Sequence, residues 1–181
     1  KGGLVLPGLV NGHTHAAMSL FRGLADDLPL MEWLTRYIFP VESRMDGEFV
    51  RTGTLLACAE MLLSGTTTFC DMYLFENETA RAADRAGIRA MVGEVLYDFE
   101  SPCYGTIDKG FAYTKALIES WKNHPRISVA VEPHALYTCS PDHLQKANEL
   151  ALKHSVPLIL HVAETLSELE TLQERYGKKP F

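Results

Sequence analysis

Five short runs rich in β-branched and aromatic residues alternate with stretches of helical apolar spacing, and no other feature of the sequence narrows the fold so far. The runs cover residues 4–10, 66–72, 88–96, 127–132 and 157–162. The helical stretches begin after Asp46, an N-cap residue three positions ahead of Phe49, and continue through residues 76–86, 109–123, 141–154 and 165–176. Ser64-Gly65 and Gly87 stop the first two, and Ser140 suits the cap of the fourth. Strands separated by helices require right-handed crossovers, hence a parallel sheet with functional groups at the carboxyl ends of its strands. No linker or low-complexity segment interrupts the series, so one domain over residues 1–181 is expected.

Strand-end chemistry decides between an open doubly wound sheet and a barrel. His13 and His15 follow the first run, Asp71 ends the second, His134 follows the fourth, and His161 and Glu164 follow the fifth. That spread suits a ring of loops converging on one site, whereas a doubly wound sheet gathers its ligands at one switch point. The expected fold class is therefore α/β, with these five units forming most of a closed barrel. Residues 16–45 form an unusually long connection, in which Pro29-Leu30-Met31-Glu32-Trp33-Leu34 opens a helix; a lid or binding loop is expected there.

His13 and His15 lie two apart, on one face of an extended chain, so both imidazoles can reach a single metal ion. A chance pair on a loop is the other reading of an isolated His-x-His. His161, carried out of an apolar strand, could supply a third nitrogen and leave a position open for water, as a catalytic metal requires. A core histidine at a strand terminus is the alternative. Glu164, three residues further on, is placed to take a proton from such a water, or else is a first-turn carboxylate favoured by the helix dipole.

Composition bears on the partner. With 46% hydrophobic and 22% charged residues and a formal charge of −6, the chain has globular usage and no basis for a large nucleic-acid footprint or an anionic membrane surface. A small-molecule substrate is expected. No apolar run approaches the roughly 20 residues of a membrane span, and no basic-then-apolar leader opens the chain, so a cytoplasmic location is expected. Cys58, Cys70, Cys103 and Cys139 lack C-x-x-C spacing and read as mostly buried free thiols. The sequon Asn77-Glu78-Thr79 is expected to be idle.

Pro7-Gly8-Leu9-Val10-Asn11-Gly12-His13-Thr14-His15, Phe21-Arg22-Gly23, Trp33-Leu34 and Pro40-Val41-Glu42 together resemble the opening of the barrel in the amidohydrolase superfamily. Pro133-His134-Ala135-Leu136-Tyr137-Thr138-Cys139-Ser140 and His161-Val162-Ala163-Glu164-Thr165 resemble two later motifs of its subgroup of adenosine-type deaminases, in the same order. Triazine chlorohydrolases and guanine deaminases are near relatives of that subgroup. The resemblance covers essentially the whole chain.

The resemblance implies one divalent metal, zinc ahead of iron, nickel or manganese, held by His13, His15, His161 and ligands beyond residue 181. It implies proton transfer by Glu164, contacts from Glu42 to ribose hydroxyls and from His134 to a ring nitrogen, and Trp33 in the pocket wall. The implied activity is hydrolytic deamination of an adenosine-like nucleoside or amino-heterocycle, with hydroxide adding to the amino-bearing ring carbon and ammonia leaving. A hydrolase of the same scaffold acting on another C–Cl or C–N bond, or an inactive fragment, is the alternative. Homocysteine-binding members place an arginine at the end of strand three, where this chain has Gly93-Glu94, which weakens S-adenosylhomocysteine as the substrate. The resemblance also implies a TIM-type (β/α)8 barrel, here truncated to about five β/α units, with the last strands and most of a flanking β-sandwich outside residues 1–181 and residues 1–6 a remnant. A strand edge left open at residues 157–162 would then take a partner chain or a second copy.

Overall fold

The computed structural model describes residues 2–179; Lys1 of the expected sandwich remnant lies outside them. β1 (Leu9–Thr14) leads into a long connection carrying α1 (Leu30–Trp33), α2 (Phe39–Glu42) and α3 (Gly47–Leu63). Then follow β2 (Thr66–Tyr73), α4 (Glu76–Ala86), β3 (Arg89–Leu96), α5 (Ile107–Ser120), β4 (Ile127–Val129), β5 (Glu132–Pro133), α6 (Pro141–His154) and α7 (Leu166–Tyr176). The strands pair in parallel in the order β1-β2-β3-β4, with β5 also beside β3. β1 to β4 thus each lie next to their predecessor in the chain, and β5 takes up the pairing with β3 beyond β4, without the reversal that defines a doubly wound sheet.

The helices form where the sequence supplies caps. Asp46 accepts the Phe49 N–H at 2.9 Å, Thr165 Oγ1 accepts the Glu168 N–H at 3.1 Å, and Gly87 closes α4 at φ 76°. Their inner faces carry small residues, Ala57, Ala80, Ala83, Ala147 and Ala151, which bring the helices close over Phe69, Val92, Ile127 and Val131 of the sheet layer. All four thiols are free, with Cys58 and Cys139 buried. Asn77 of the sequon is engaged locally, its Oδ1 accepting the Trp121 indole N–H at 3.0 Å.

Several boundaries differ from the sequence expectation for identifiable reasons. The first strand does not begin at Leu4: Leu4, Val5 and Leu6 are exposed and without regular structure, and pairing starts only past Pro7, where the Leu9 N–H reaches the Gly65 carbonyl. Pro7 has no N–H for a ladder, and β1 runs on through His13 instead. The run 127–132 is split into β4 and β5. The Glu132 side chain lies where a Cβ on Gly93 would be, 2.3 Å from its Cδ, so the two strands meet there across a bare backbone. Residues 157–162 form no continuous strand; they carry isolated parallel bridges, Val131 with Leu158 and Ala135 with His161, hydrogen-bonded on that one side among the described residues. α5 starts two residues early, at Ile107, and stops at Ser120, ahead of Asn123 at φ 62°. Ser140 occupies the cap position of α6, but its hydroxyl lies 3.0 Å from His143 Nδ1 and caps no backbone N–H.

The long connection is helical over residues 30–42 and contributes Trp33 and Glu42 to the lining of a pocket. Between α1 and α2 the Phe39 N–H bonds to the Leu34 carbonyl, five residues back, in a π turn over Leu34–Ile38. Pro40 explains that wider turn: it offers no N–H and its ring crowds the carbonyl four residues earlier, so an unbroken α ladder cannot pass through it.

Candidate active site

β1 brings the histidine pair to the carboxyl end of the sheet, and the bridge at Ala135 and His161 brings the third histidine beside it. His13 Nε2 lies 3.4 Å from His15 Nε2 and 3.3 Å from His161 Nε2, and one ligand atom from each of the three lies within 4.8 Å of the others. His15 Nδ1 is 2.6 Å from the Met72 carbonyl, and His161 Nδ1 is 3.2 Å from the His134 carbonyl. A carbonyl only accepts, so each of these Nδ1 atoms carries the proton and each Nε2 turns a lone pair inward. His15 and His161 thus both turn a lone pair toward His13 Nε2, an arrangement that a shared cation satisfies. Tetrahedral zinc with Zn–N of about 2.1 Å sets its nitrogen ligands about 3.4 Å apart. The donor set and its spacing therefore fit a divalent metal.

Asp71 holds this segment in place. Fully buried at the β2 end, it accepts the Ala16 N–H at 2.6 Å and a hydroxyl hydrogen bond from Thr14, on either side of His15. Burial pushes its carboxyl up, against the pull of those two donors. Beside it, burial and the neighbouring Asp71 charge drive the Glu76 carboxyl well above its usual range. Asp71 does not line the pocket. The sequence places it at a strand end with the other polar groups, and the structure turns it under the histidines as a support.

An open pocket sits beside the triad. His15, Trp33, Glu42, His134, His161 and Glu164 all line it, and His13 touches it through His161. Every site residue expected from the sequence is thus brought to one place. Trp33 and Glu42 come from the helical run of the long connection, which covers one side. Burial raises the Glu42 carboxyl above its usual range, opposed by the Tyr73 hydroxyl and by His15. His134 Nδ1 lies 2.8 Å from Thr138 Oγ1, and burial, with His161 and His15 nearby, lowers its pKa to about 3, so it stays neutral. Glu164 is exposed to the pocket and accepts a hydrogen bond from the Tyr137 hydroxyl at 2.7 Å.

Two features of the site went unread in the sequence. Tyr137 lies three residues past His134, where a turn brings both side chains to one side; its place in the motif was the available signal. Tyr97 and Phe99, stacked at 3.9 Å between ring centroids and joined by Phe39 at 5.6 Å, wall the end of the pocket. Nothing in their local sequence distinguishes them from core aromatics.

Residues 4–180 match the sequence model described as "Amidohydrolase family". The chain belongs to the amidohydrolase family. Among its relatives, a 5-methylthioadenosine/S-adenosylhomocysteine deaminase of Syntrophobacter fumaroxidans is 62% identical over 179 residues, covering 99% of this chain and 41% of that protein. The crystal structure of an adenosine deaminase from Xanthomonas campestris with bound zinc is 43% identical, superimposes with a TM-score of 0.93, and is matched over 96% of this chain and 40% of its own. An atrazine chlorohydrolase from Arthrobacter aurescens TC1, complexed with zinc, is 20% identical with a TM-score of 0.85 over 97% of this chain and 44% of its own, a likeness of fold. The chain spans about two fifths of the length of the relatives it matches.

Proposed function

We propose that residues 1–181 are the first five β/α units of a TIM-type barrel, and that the protein they belong to is a metal-dependent hydrolytic deaminase of adenosine-like nucleosides. The observation that carries this reading is the meeting of three histidine nitrogens within 4.8 Å of one another, with Glu164 and Glu42 around the adjoining pocket. The sequential parallel order β1-β2-β3-β4 supports the barrel. The deaminase names carried by relatives support the reaction, and zinc in the related structures supports zinc as the metal.

In this reading His13, His15 and His161 hold the metal together with ligands from the rest of the protein. A divalent cation bound there would supply the chemistry of a more acidic water, able to attack as hydroxide at neutral pH. Glu164 accepts the proton of that water and returns it to the substrate, so that water and an amino-heterocycle become a carbonyl heterocycle and ammonia. Glu42 receives ribose hydroxyls, while neutral His134 contacts the heterocycle. The helical run 30–42, through Trp33, closes the pocket side and excludes bulk water. The substrate is a small molecule. Four cysteines without a disulfide among them suit the cytoplasm.

Ammonia release from methylthioadenosine, adenosine and guanine, and chloride release from atrazine, by the full-length, zinc-loaded protein test this. Turnover of the adenosine nucleosides is expected, with chloride release from atrazine absent. Turnover of atrazine alone, or of none of the nucleosides, overturns it.

A further inference from the structure

We propose that Tyr137 is a positioning residue for proton transfer, its hydroxyl holding Oε2 of Glu164 and so assigning Oε1 as the oxygen that takes and returns the proton. This rests on the reading of Glu164 as the proton carrier. The hydroxyl donates to Oε2 at 2.7 Å, which commits that oxygen to a neighbour from the loop between β5 and α6.

The main chain of Glu164 is fixed independently, from the other side. Ala163 adopts φ 59°, a left-handed conformation that turns the chain out of the line of His161 and into α7. The Glu164 N–H then donates to Glu168 Oε2 at 2.8 Å, while the Glu168 N–H is capped by Thr165. Glu168 itself is buried, so this anchor does not move with solvent. With the backbone held by α7 and one carboxylate oxygen held by Tyr137, the remaining freedom of an otherwise exposed side chain is removed. Reaction geometry is sensitive to displacements of about 1 Å, which can cost on the order of 10²-fold in rate.

The tyrosine is itself placed by the site. Its ring stands edge-on to His134, with centroids 5.7 Å apart at 87°, and His134 is held by Thr138 in the same turn. One loop therefore sets both the group that contacts the heterocycle and the group that aims the carboxylate. Burial and the adjacent Glu164 push the phenol above its usual range, so Tyr137 keeps its proton and acts only as a donor.

The test uses the full-length, zinc-loaded protein and a double-mutant cycle of Y137F with E164Q, followed by ammonia release from methylthioadenosine and adenosine. Y137F alone should lower kcat on the order of 10-fold or more, with KM, zinc content and melting temperature unchanged. In the E164Q background the same substitution should change kcat by less than about twofold, because there is no carboxylate left to aim. A Y137F enzyme at wild-type kcat overturns the proposal, as does a rise in KM alone, or a loss that multiplies with that of E164Q. Full activity in E164Q overturns the reading of Glu164 itself; loss in E164Q with full activity in Y137F overturns this proposal and leaves that reading standing.

Discussion

The Asp71 carboxylate accepts the backbone N–H of Ala16 at 2.6 Å, one residue past the second histidine of the pair, and also takes the Thr14 hydroxyl one residue before it. It ligates nothing, yet it clamps both flanks of His15. Removing a group that orients a ligand typically costs 10–100-fold in metal affinity. Asp71→Ala should therefore weaken zinc binding by roughly that factor, and activity should return when zinc is added in excess. Asp71→Asn keeps one acceptor oxygen and should fall between. A zinc titration of Asp71→Ala that matches the wild type would remove Asp71 from the site's support.

The ligands and the specificity residues should separate cleanly. His161→Ala removes one of three converging nitrogens, so metal and activity should go together. Glu42→Ala leaves the metal in place and should raise KM for adenosine well above that for the bare base, since only the nucleoside offers ribose hydroxyls. Equal effects on nucleoside and base would show that Glu42 serves the pocket wall alone.

How much of this was readable follows from what each feature depends on. The caps at Asp46, Thr165 and Gly87 are local rules, and the helices they bound appear where expected. The histidine pair depends on the two-residue period of an extended chain, also local, and it converges with His161 although β1 carries a register irregularity between Asn11 and Thr14. The breaks in the fourth and fifth strands depend on neighbours. Glu132 needs the missing Cβ of Gly93, thirty-nine positions away in sequence, and the bridges at Leu158 and His161 follow from pairing on a single side. The role of Asp71 was hidden for the same reason. A strand-end carboxylate reads as a ligand until its partners, here the chain after β1, are known.

Gly53 gives a packing test of the same region. A Cβ at this position in α3 would meet the Ala17 carbonyl oxygen at 2.5 Å and the Ala17 Cα at 2.9 Å, both backbone atoms that cannot swing aside. Gly53→Ala raises helix propensity in principle, yet overpacking of this kind typically costs about 1–3 kcal/mol. The net effect expected is a lower melting temperature, accompanied by weaker zinc binding because the displaced segment begins directly after His15. A stabilised variant with unchanged zinc affinity would show that the segment has slack.

The last expectation concerns pH. Glu94, fully buried on β3, accepts the Phe75 and Glu76 N–H groups at the start of α4, at 3.2 and 2.9 Å. Those donors and the helix dipole favour its anion, but burial prevails and lifts its pKa from 4.5 to about 7. Because the folded value is the higher, the folded chain binds the proton more tightly than the unfolded one. The associated stability is fully present below about 4.5 and is lost as pH rises through 7; a rise of this size corresponds to about 3 kcal/mol. His134, held near 3 by burial, works in the opposite sense as pH falls below 6.5, and the buried carboxyls of Glu42, Asp71, Glu76 and Glu132, also raised, work in the same sense as Glu94, so the wild-type curve alone mixes them all. The difference between wild type and Glu94→Gln isolates the carboxyl. Urea unfolding at intervals from pH 4.5 to 8 should give a wild-type advantage that shrinks toward high pH, and a difference independent of pH would show that Glu94 does not titrate in this window.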